Sequence, residues 1–250
     1  MTDKLLSGRI AVVTGAASGI GAATAERLAA DGASVALVSR RTDRLEKLAT
    51  TISESGGTAL AVQLDVTDPD SVARAAGTIT ERLGRIDLLV NAAGVLLETP
   101  VQAVDEWVRT IDTNLTGVLR VIAAFTPDLT ATASAGRTAD IVNVSSVMAH
   151  QEFPGYAAYS ASKAALTQLS ASLRADLSPQ DVRVTNIEPG IVHSELRTHV
   201  SAQEQETLAG VVEQVGALEA ADIADLIVYA VSRRREVNLS HLVALPLTQV

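Results

Sequence analysis

Cysteine is absent from the 250-residue chain, which excludes disulfides and thiolate chemistry. Aromatic residues are almost as scarce, with one Trp, three Tyr and two Phe, so no aromatic-rich binding surface is available. Basic residues are in deficit, 20 Lys and Arg against 29 Asp and Glu, for a net charge of −9. Nucleic acid and anionic membrane both need a basic face, so neither is expected as a main partner. No apolar run approaches the length of a membrane span, and the short polar stretch 1–8 has no apolar core of a signal peptide. A soluble, cytoplasmic protein is the expectation.

What the chain does contain is aliphatic. Hydrophobic residues make up 47%, mostly Ala, Val, Leu and Ile, and no linker or repeat divides the sequence. One domain over residues 1–250 is expected, large enough for a substantial core. Short β-branched runs at 9–13, 34–39, 58–64, 86–90, 140–144, 182–187 and 241–245 read as strands. Helical stretches are expected up to about 31 after the first glycine turn, at 42–55, from the Asp65–Pro69 segment onward, and at 104–129, 155–177, 195–215 and 220–232, with Thr42 capping the second and a loop over 130–139. Strands alternating with helices of crossover length predict an α/β fold: one doubly wound parallel sheet of seven strands, with helices on both faces. Ligands of such sheets bind beyond the carboxyl ends of the strands.

The motifs fall at those ends. Gly15, Gly19 and Gly21, with Ser18 and Ile20 between them, join the first strand to the first helix. Glycines there allow a tight turn and let backbone N–H groups approach a pyrophosphate at the helix amino end. Packing alone could also place them. After strand two come Ser39, Arg40 and Arg41, where an NAD-binding chain would carry an acid for the ribose 2′-hydroxyl. Guanidinium groups suit a 2′-phosphate instead, so NADP(H) is the expected cofactor. Asp65, beside Val66, is placed to accept from the adenine amino group or to cap the next helix. Tyr159 and Lys163 stand four residues apart in a predicted helix, which puts phenol and ammonium on one face. A neighbouring cation favours the phenolate and lowers its pKa of about 10 toward a useful range.

Taken in order, the glycine loop, Asn91-Ala92-Ala93-Gly94, Ser146 and Tyr159–Lys163 resemble those of the short-chain dehydrogenase/reductases, a family of the Rossmann fold. The resemblance covers essentially the whole chain. It implies a catalytic set of Asn114, Ser146, Tyr159 and Lys163, with Ser146 rather than Ser145 selected by the family's interval of thirteen residues before the tyrosine. Tyr156 fails as the acid, because Ser160 stands four residues after it. By the same resemblance Tyr159 is general acid and base, Lys163 lowers its pKa and holds the nicotinamide ribose, Ser146 bonds the substrate oxygen, and Asn114 keeps a water for proton relay. Cofactor contacts are implied at Asn91, Ala92, Gly94, Pro189, Gly190, Val192 and Ser194, and a lid over 191–215. Met148, His150, Phe153, Tyr156 and His193, together with Ser146, are expected around a substrate. Among His150, His193, His199 and His241 no spacing suggests a metal site, so none is expected.

The function implied is NADP(H)-dependent hydride transfer to a small-molecule ketone or aldehyde, or from the matching alcohol. Ile187-Glu188-Pro189-Gly190, Ser194-Glu195-Leu196-Arg197-x-His199 and the Pro-x-Thr-Gln-Val ending resemble those of a bacterial subgroup of NADP-dependent reductases, which implies an aldehyde or ketone substrate. Epimerisation or dehydration through transient hydride transfer is the alternative among enzymes. A non-catalytic NADP(H) sensor or scaffold is the alternative of another class. The family also implies a homotetramer or homodimer formed through helices 104–129 and 155–177.

Overall fold

The computed structural model describes residues 4–249. Seven strands form one sheet in the order β3-β2-β1-β4-β5-β6-β7, and every pairing is parallel. They are β1 (Ile10–Thr14), β2 (Ser34–Ser39), β3 (Thr58–Gln63), β4 (Leu88–Asn91), β5 (Ala139–Val144), β6 (Val182–Pro189) and β7 (His241–Ala244). Successive side chains of a strand point to opposite faces. In β1, Ala11 and Val13 join one core with Leu28 of α1 (Gly19–Ala30) and Ile227 of α8 (Ala220–Val231). Val12 joins the other core, with Ile79 of α3 (Pro69–Leu83), Phe125 of α5 (Gly117–Ser134) and Leu166 of α6 (Ala157–Leu177). Every residue of β5 and β6 is buried, as a parallel strand covered on both faces must be.

The helices differ from expectation in four places. Thr42 is the first residue of α2 (Thr42–Glu54), not its cap; Arg41 precedes it and no side chain caps that end. The stretch 130–139 is not all loop, because α5 continues to Ser134. Thr130 donates to Thr126 O and Thr132 to Ile86 O, so hydroxyls that look turn-forming satisfy carbonyls within and beside the helix. The helix foreseen from 104 is α4 (Val104–Ile111) joined to α5 by a π turn at Asp112–Thr116. Finally, 195–215 divides into a 3₁₀ turn, Glu195–His199, and α7 (Ala202–Val215).

Candidate active site

At the carboxyl end of β1, Gly15 and Gly19 adopt positive φ (+69° and +52°). A Cβ on Gly15 would lie 2.8 Å from Ala92 O, and one on Gly21 only 2.4 Å from Gly15 O. The turn can therefore close against the 92–93 backbone only with glycine, and it aims the free amides at the start of α1 into a cleft. That cleft, of about 250 Å³, is lined by Ser18, Ile20 and the three glycines, and by Ser39, Arg40, Arg41, Asp65, Val66, Ala92, Gly94 and Ser194. Thr14 Oγ1 fixes its floor by accepting from Ala92 N and Ala93 N. Asn91 is different: its side chain turns into the sheet and donates to Asn143 Oδ1 at 2.9 Å, lining neither the cleft nor the cavity beside it.

At the far end of the cleft, Arg41 donates to Ser18 Oγ at 2.7 Å and to Glu195 Oε2 at 2.8 Å. Arg44, one turn into α2 and not singled out in the sequence, reaches both oxygens of Glu195. Hydrogen bonds from Arg44 and Arg41 hold the Glu195 carboxyl down at about 2. Asp65 spends Oδ1 on Thr67 N and Oγ1, while helix α3 is capped by Asp68. Partial burial works against the Asp65 carboxylate, but the Thr67 bonds and the Arg40 charge hold its pKa below the ordinary value.

Where the cleft meets the interior, helix α6 brings Tyr159 and Lys163 onto one buried face, with Lys163 Nζ 5.6 Å from the phenol ring centre. Lys163 donates to Val144 O at 2.9 Å. Burial lowers its pKa to about 8. Burial also pushes Tyr159 up to about 12, with the Ser146 hydroxyl pulling the other way. Loss of water on burial is thus the largest influence on the phenol, and it acts against ionisation. Ser146 begins the turn after β5 and accepts from Met148 N, whereas Ser145 is tied to Lys163 O and Thr167. Asn114 lies on the π turn, a distortion often found at functional sites. Its amide accepts from Val95 N at 2.8 Å, donates to Val95 O at 2.9 Å and reaches Ser162. The side chain so committed clamps the 94–95 segment. A Cβ on Gly94 would stand 3.3 Å from Asn114 Oδ1 and 3.8 Å from Lys163 Nζ, so the glycine keeps this corner open.

Beyond Tyr159 opens a cavity of about 510 Å³, walled by Leu96, Val147, Phe153, Leu208 and Val211 among other apolar groups. Ser146, Met148, Phe153, Tyr156, Tyr159 and Lys163 line it as foreseen, with Ala92, Gly94, Pro189, Gly190, Val192 and Ser194 at the border with the cleft. His150 and His193 do not. His150 faces Glu188, and His193, exposed, has Glu219 as its neighbour at 3.8 Å. The polar groups that take their place are Gln151, Arg197, Glu204 and Gln249. Tyr156 donates to Glu204 at 2.8 Å and its pKa rises through burial and that carboxylate. Glu98 accepts from both Ser201 N and Ser201 Oγ, so α7 is tied down at two points. Spacing on the primary sequence found no metal motif among the histidines, yet the fold brings His150 and His241 together on Glu188.

A narrow cleft that ends in glycine amides at one side and guanidinium groups at the other fits a phosphorylated dinucleotide. Comparison with known proteins agrees. Residues 9–205 match the short chain dehydrogenase family. Serine 3-dehydrogenase of Agrobacterium fabrum is 36% identical over 247 residues, 98% of this chain and 96% of that protein. Sulfoacetaldehyde reductase 2 of Chromohalobacter salexigens is 37% identical over 243 residues, 96% and 95% of the two. Glycine betaine reductase ATRR of Emericella nidulans is also 37% identical over 243 residues, which are only 19% of that longer protein. Among solved structures, the closed form of serine dehydrogenase complexed with NADP+ superposes with a TM-score of 0.88 at 29% identity, covering 96% of each chain. L-Sorbose reductase from Gluconobacter frateurii, complexed with NADPH and L-sorbose, gives 0.86 at 26% identity, covering 99% of this chain and 98% of that one.

Proposed function

We propose that this chain, which belongs to the short-chain dehydrogenase family, is an NADP(H)-dependent oxidoreductase that interconverts a carbonyl compound and its alcohol. The observation that carries the reading is Tyr159 and Lys163, buried side by side where the phosphate cleft meets an apolar cavity. NADP(H), when bound, supplies the hydride in reduction and accepts it in oxidation. Gly15, Ser18 and Gly21 would receive its pyrophosphate, and Arg40, Arg41 and Arg44 the 2′-phosphate. Serine dehydrogenase and L-sorbose reductase, both similar to this chain, were solved with NADP+ and NADPH.

The chain's own groups manage the proton. A Tyr159 phenol pushed up to about 12 keeps its hydrogen at neutral pH and gives it to the carbonyl oxygen in reduction. Ser146 holds a hydrogen bond to the same oxygen as negative charge grows there. Lys163, charged at neutral pH and with its pKa already near 8, returns a proton to the phenolate. The apolar walls exclude water and strengthen each of these interactions. Asn114 acts at one remove, fixing Gly94 and Val95 so that the corner beside Lys163 stays open.

The substrate is read as a small aldehyde or ketone that carries an acidic group. Arg197 lines the cavity and makes no ion pair among the described residues, so its guanidinium is available to an anion. Residues 191–215 are read as a lid of the single domain, closing through Glu195, Ser201 and Glu204. Exposed Val104, Val108 and Leu119 on α4 and α5 support assembly as a dimer or tetramer, which light scattering would test.

The experiment is NADPH oxidation with a panel of acidic and neutral aldehydes, run on wild type and Tyr159→Phe. The variant should lose turnover by about a hundredfold or more while still binding NADPH. A wild type that binds NADPH and turns over none of the panel would instead favour a sensor.

A further inference from the structure

Three side chains far apart in sequence meet outside the cavity just described. His150 follows the turn begun by Ser146, Glu188 lies near the end of β6, and His241 opens β7. Glu188 Oε2 lies 3.0 Å from His150 Nε2 and 2.9 Å from His241 Nε2. The imidazole rings are 6.3 Å apart and inclined at 44°. None of the three lines the cleft or the cavity.

The carboxylate is the unusual member, because it is 1% exposed while both histidine side chains reach solvent. Its other oxygen, Oε1, accepts from Thr167 Oγ1 at 2.7 Å and from Asn186 Nδ2 at 3.0 Å. Burial works against its charge, but these bonds and those from the histidines hold it ionised. The buried Asn186 and the half-buried Thr167 thus orient a carboxylate whose other edge points between two imidazole nitrogens. Supporting groups of this kind fix the ligands of metal sites. A buried carboxylate calls for a positive partner, and imidazole in its neutral form offers only hydrogen bonds.

We propose that His150, Glu188 and His241 bind one first-row divalent cation, with zinc the best match. The three donor atoms lie within 4.8 Å of one another. Donors around tetrahedral zinc, at bonds of about 2.0–2.2 Å, stand roughly 3.3 Å apart, so the two imidazole-to-carboxylate distances need open by only a few tenths of an ångström, and the two imidazole nitrogens need stay within the 4.8 Å that encloses the set. Two imidazoles with one carboxylate suit zinc, whereas calcium and magnesium prefer oxygen alone. The exposed edge leaves a position for water and a path of entry. A bound ion would tie the loop carrying Ser146 to the β6–β7 edge, as a clamp beside the site and not part of its chemistry. The inference rests on the fold and stands apart from the proposed activity.

The test is equilibrium dialysis of the metal-stripped full-length protein against zinc chloride, with thermal unfolding as a second readout. The wild type should bind one zinc per chain and unfold at a higher temperature with zinc present. His150→Ala and His241→Ala should each weaken binding about tenfold or more and cancel the thermal shift. His241→Ala should keep its far-UV circular dichroism and NADPH binding, which separates loss of the ion from loss of the fold. Failure of the wild type to bind zinc stoichiometrically, or equal binding by both variants, overturns the proposal.

Discussion

Arg44 Nη1 lies 2.5 and 2.7 Å from the two carboxylate oxygens of Glu195, across 151 residues of sequence. With Arg41 on the same carboxylate, both cations are occupied by an internal anion at the place proposed for the cofactor's 2′-phosphate. Glu195, held down at about 2, carries its charge throughout the neutral range. Phosphate and carboxylate should therefore compete. Glu195→Gln is expected to tighten NADPH binding several-fold, and Arg41→Ala to weaken NADPH more than NADH. Both effects should shrink with added salt, because the pair is about half exposed. Fluorescence titration of NADPH and NADH at two ionic strengths checks this, and unchanged NADPH affinity in Glu195→Gln would remove the competition.

Arg197 separates acidic from neutral substrates in the proposed reading. Arg197→Met keeps the flexible unbranched stem and removes the charged guanidinium. For acidic aldehydes kcat/KM should fall by about one to two orders of magnitude, mainly through KM, as expected when a charged hydrogen bond is lost. For neutral aldehydes of similar size it should be unchanged or improved. A parallel fall for both classes would assign Arg197 to packing.

What could be read in advance was what local pattern dictates. Residues 34–39 gave a strand because a parallel strand buried on both faces is a continuous apolar run. Tyr159 and Lys163 could be put on one face because helical spacing alone does that. The end of α5 was illegible, since Thr130 and Thr132 signal a loop until the carbonyls they serve are known. The partners of Arg44, His150 and His241 lie 151, 38 and 53 residues away, beyond any local signal. For a related reason the phenol's burial has no local signal: proximity to Lys163 is written in the spacing, whereas the depth that raises the pKa of Tyr159 is set by elements from the whole chain.

Two glycines of similar appearance in the sequence should respond in opposite ways. Gly77 lies inside α3, exposed, and a Cβ there would meet nothing within 4 Å. Gly77→Ala should raise stability by about 0.5–1 kcal/mol through helix propensity alone. Gly21→Ala drives a Cβ to 2.4 Å from the Gly15 carbonyl oxygen, backbone that cannot swing aside. It should lower the unfolding midpoint and abolish NADPH binding, since the turn and the start of α1 must separate. Thermal unfolding and NADPH fluorescence of the two variants decide the matter together.

Lys163 sets the needs of the site against those of the fold. Its pKa falls from 10.5 to about 8 because a charged ammonium is kept away from water, a cost of roughly 3 kcal/mol. Below pH 8 the lysine is charged in both folded and unfolded chains, so the whole penalty is present. Between about 8 and 10.5 the folded chain has released a proton that the unfolded chain still holds, and stability rises with pH through that window. Lys163→Met should therefore lose turnover yet unfold several degrees above the wild type at pH 7, with its advantage shrinking as pH rises toward 10. Tyr159, pushed from 10 to about 12, acts in the other direction only above pH 10, so the comparison belongs below that value. Midpoints by differential scanning calorimetry at about pH 7, 8 and 9 would measure it. A variant no more stable than the wild type at pH 7 would mean that the hydrogen bond to Val144 O already offsets the burial of the charge.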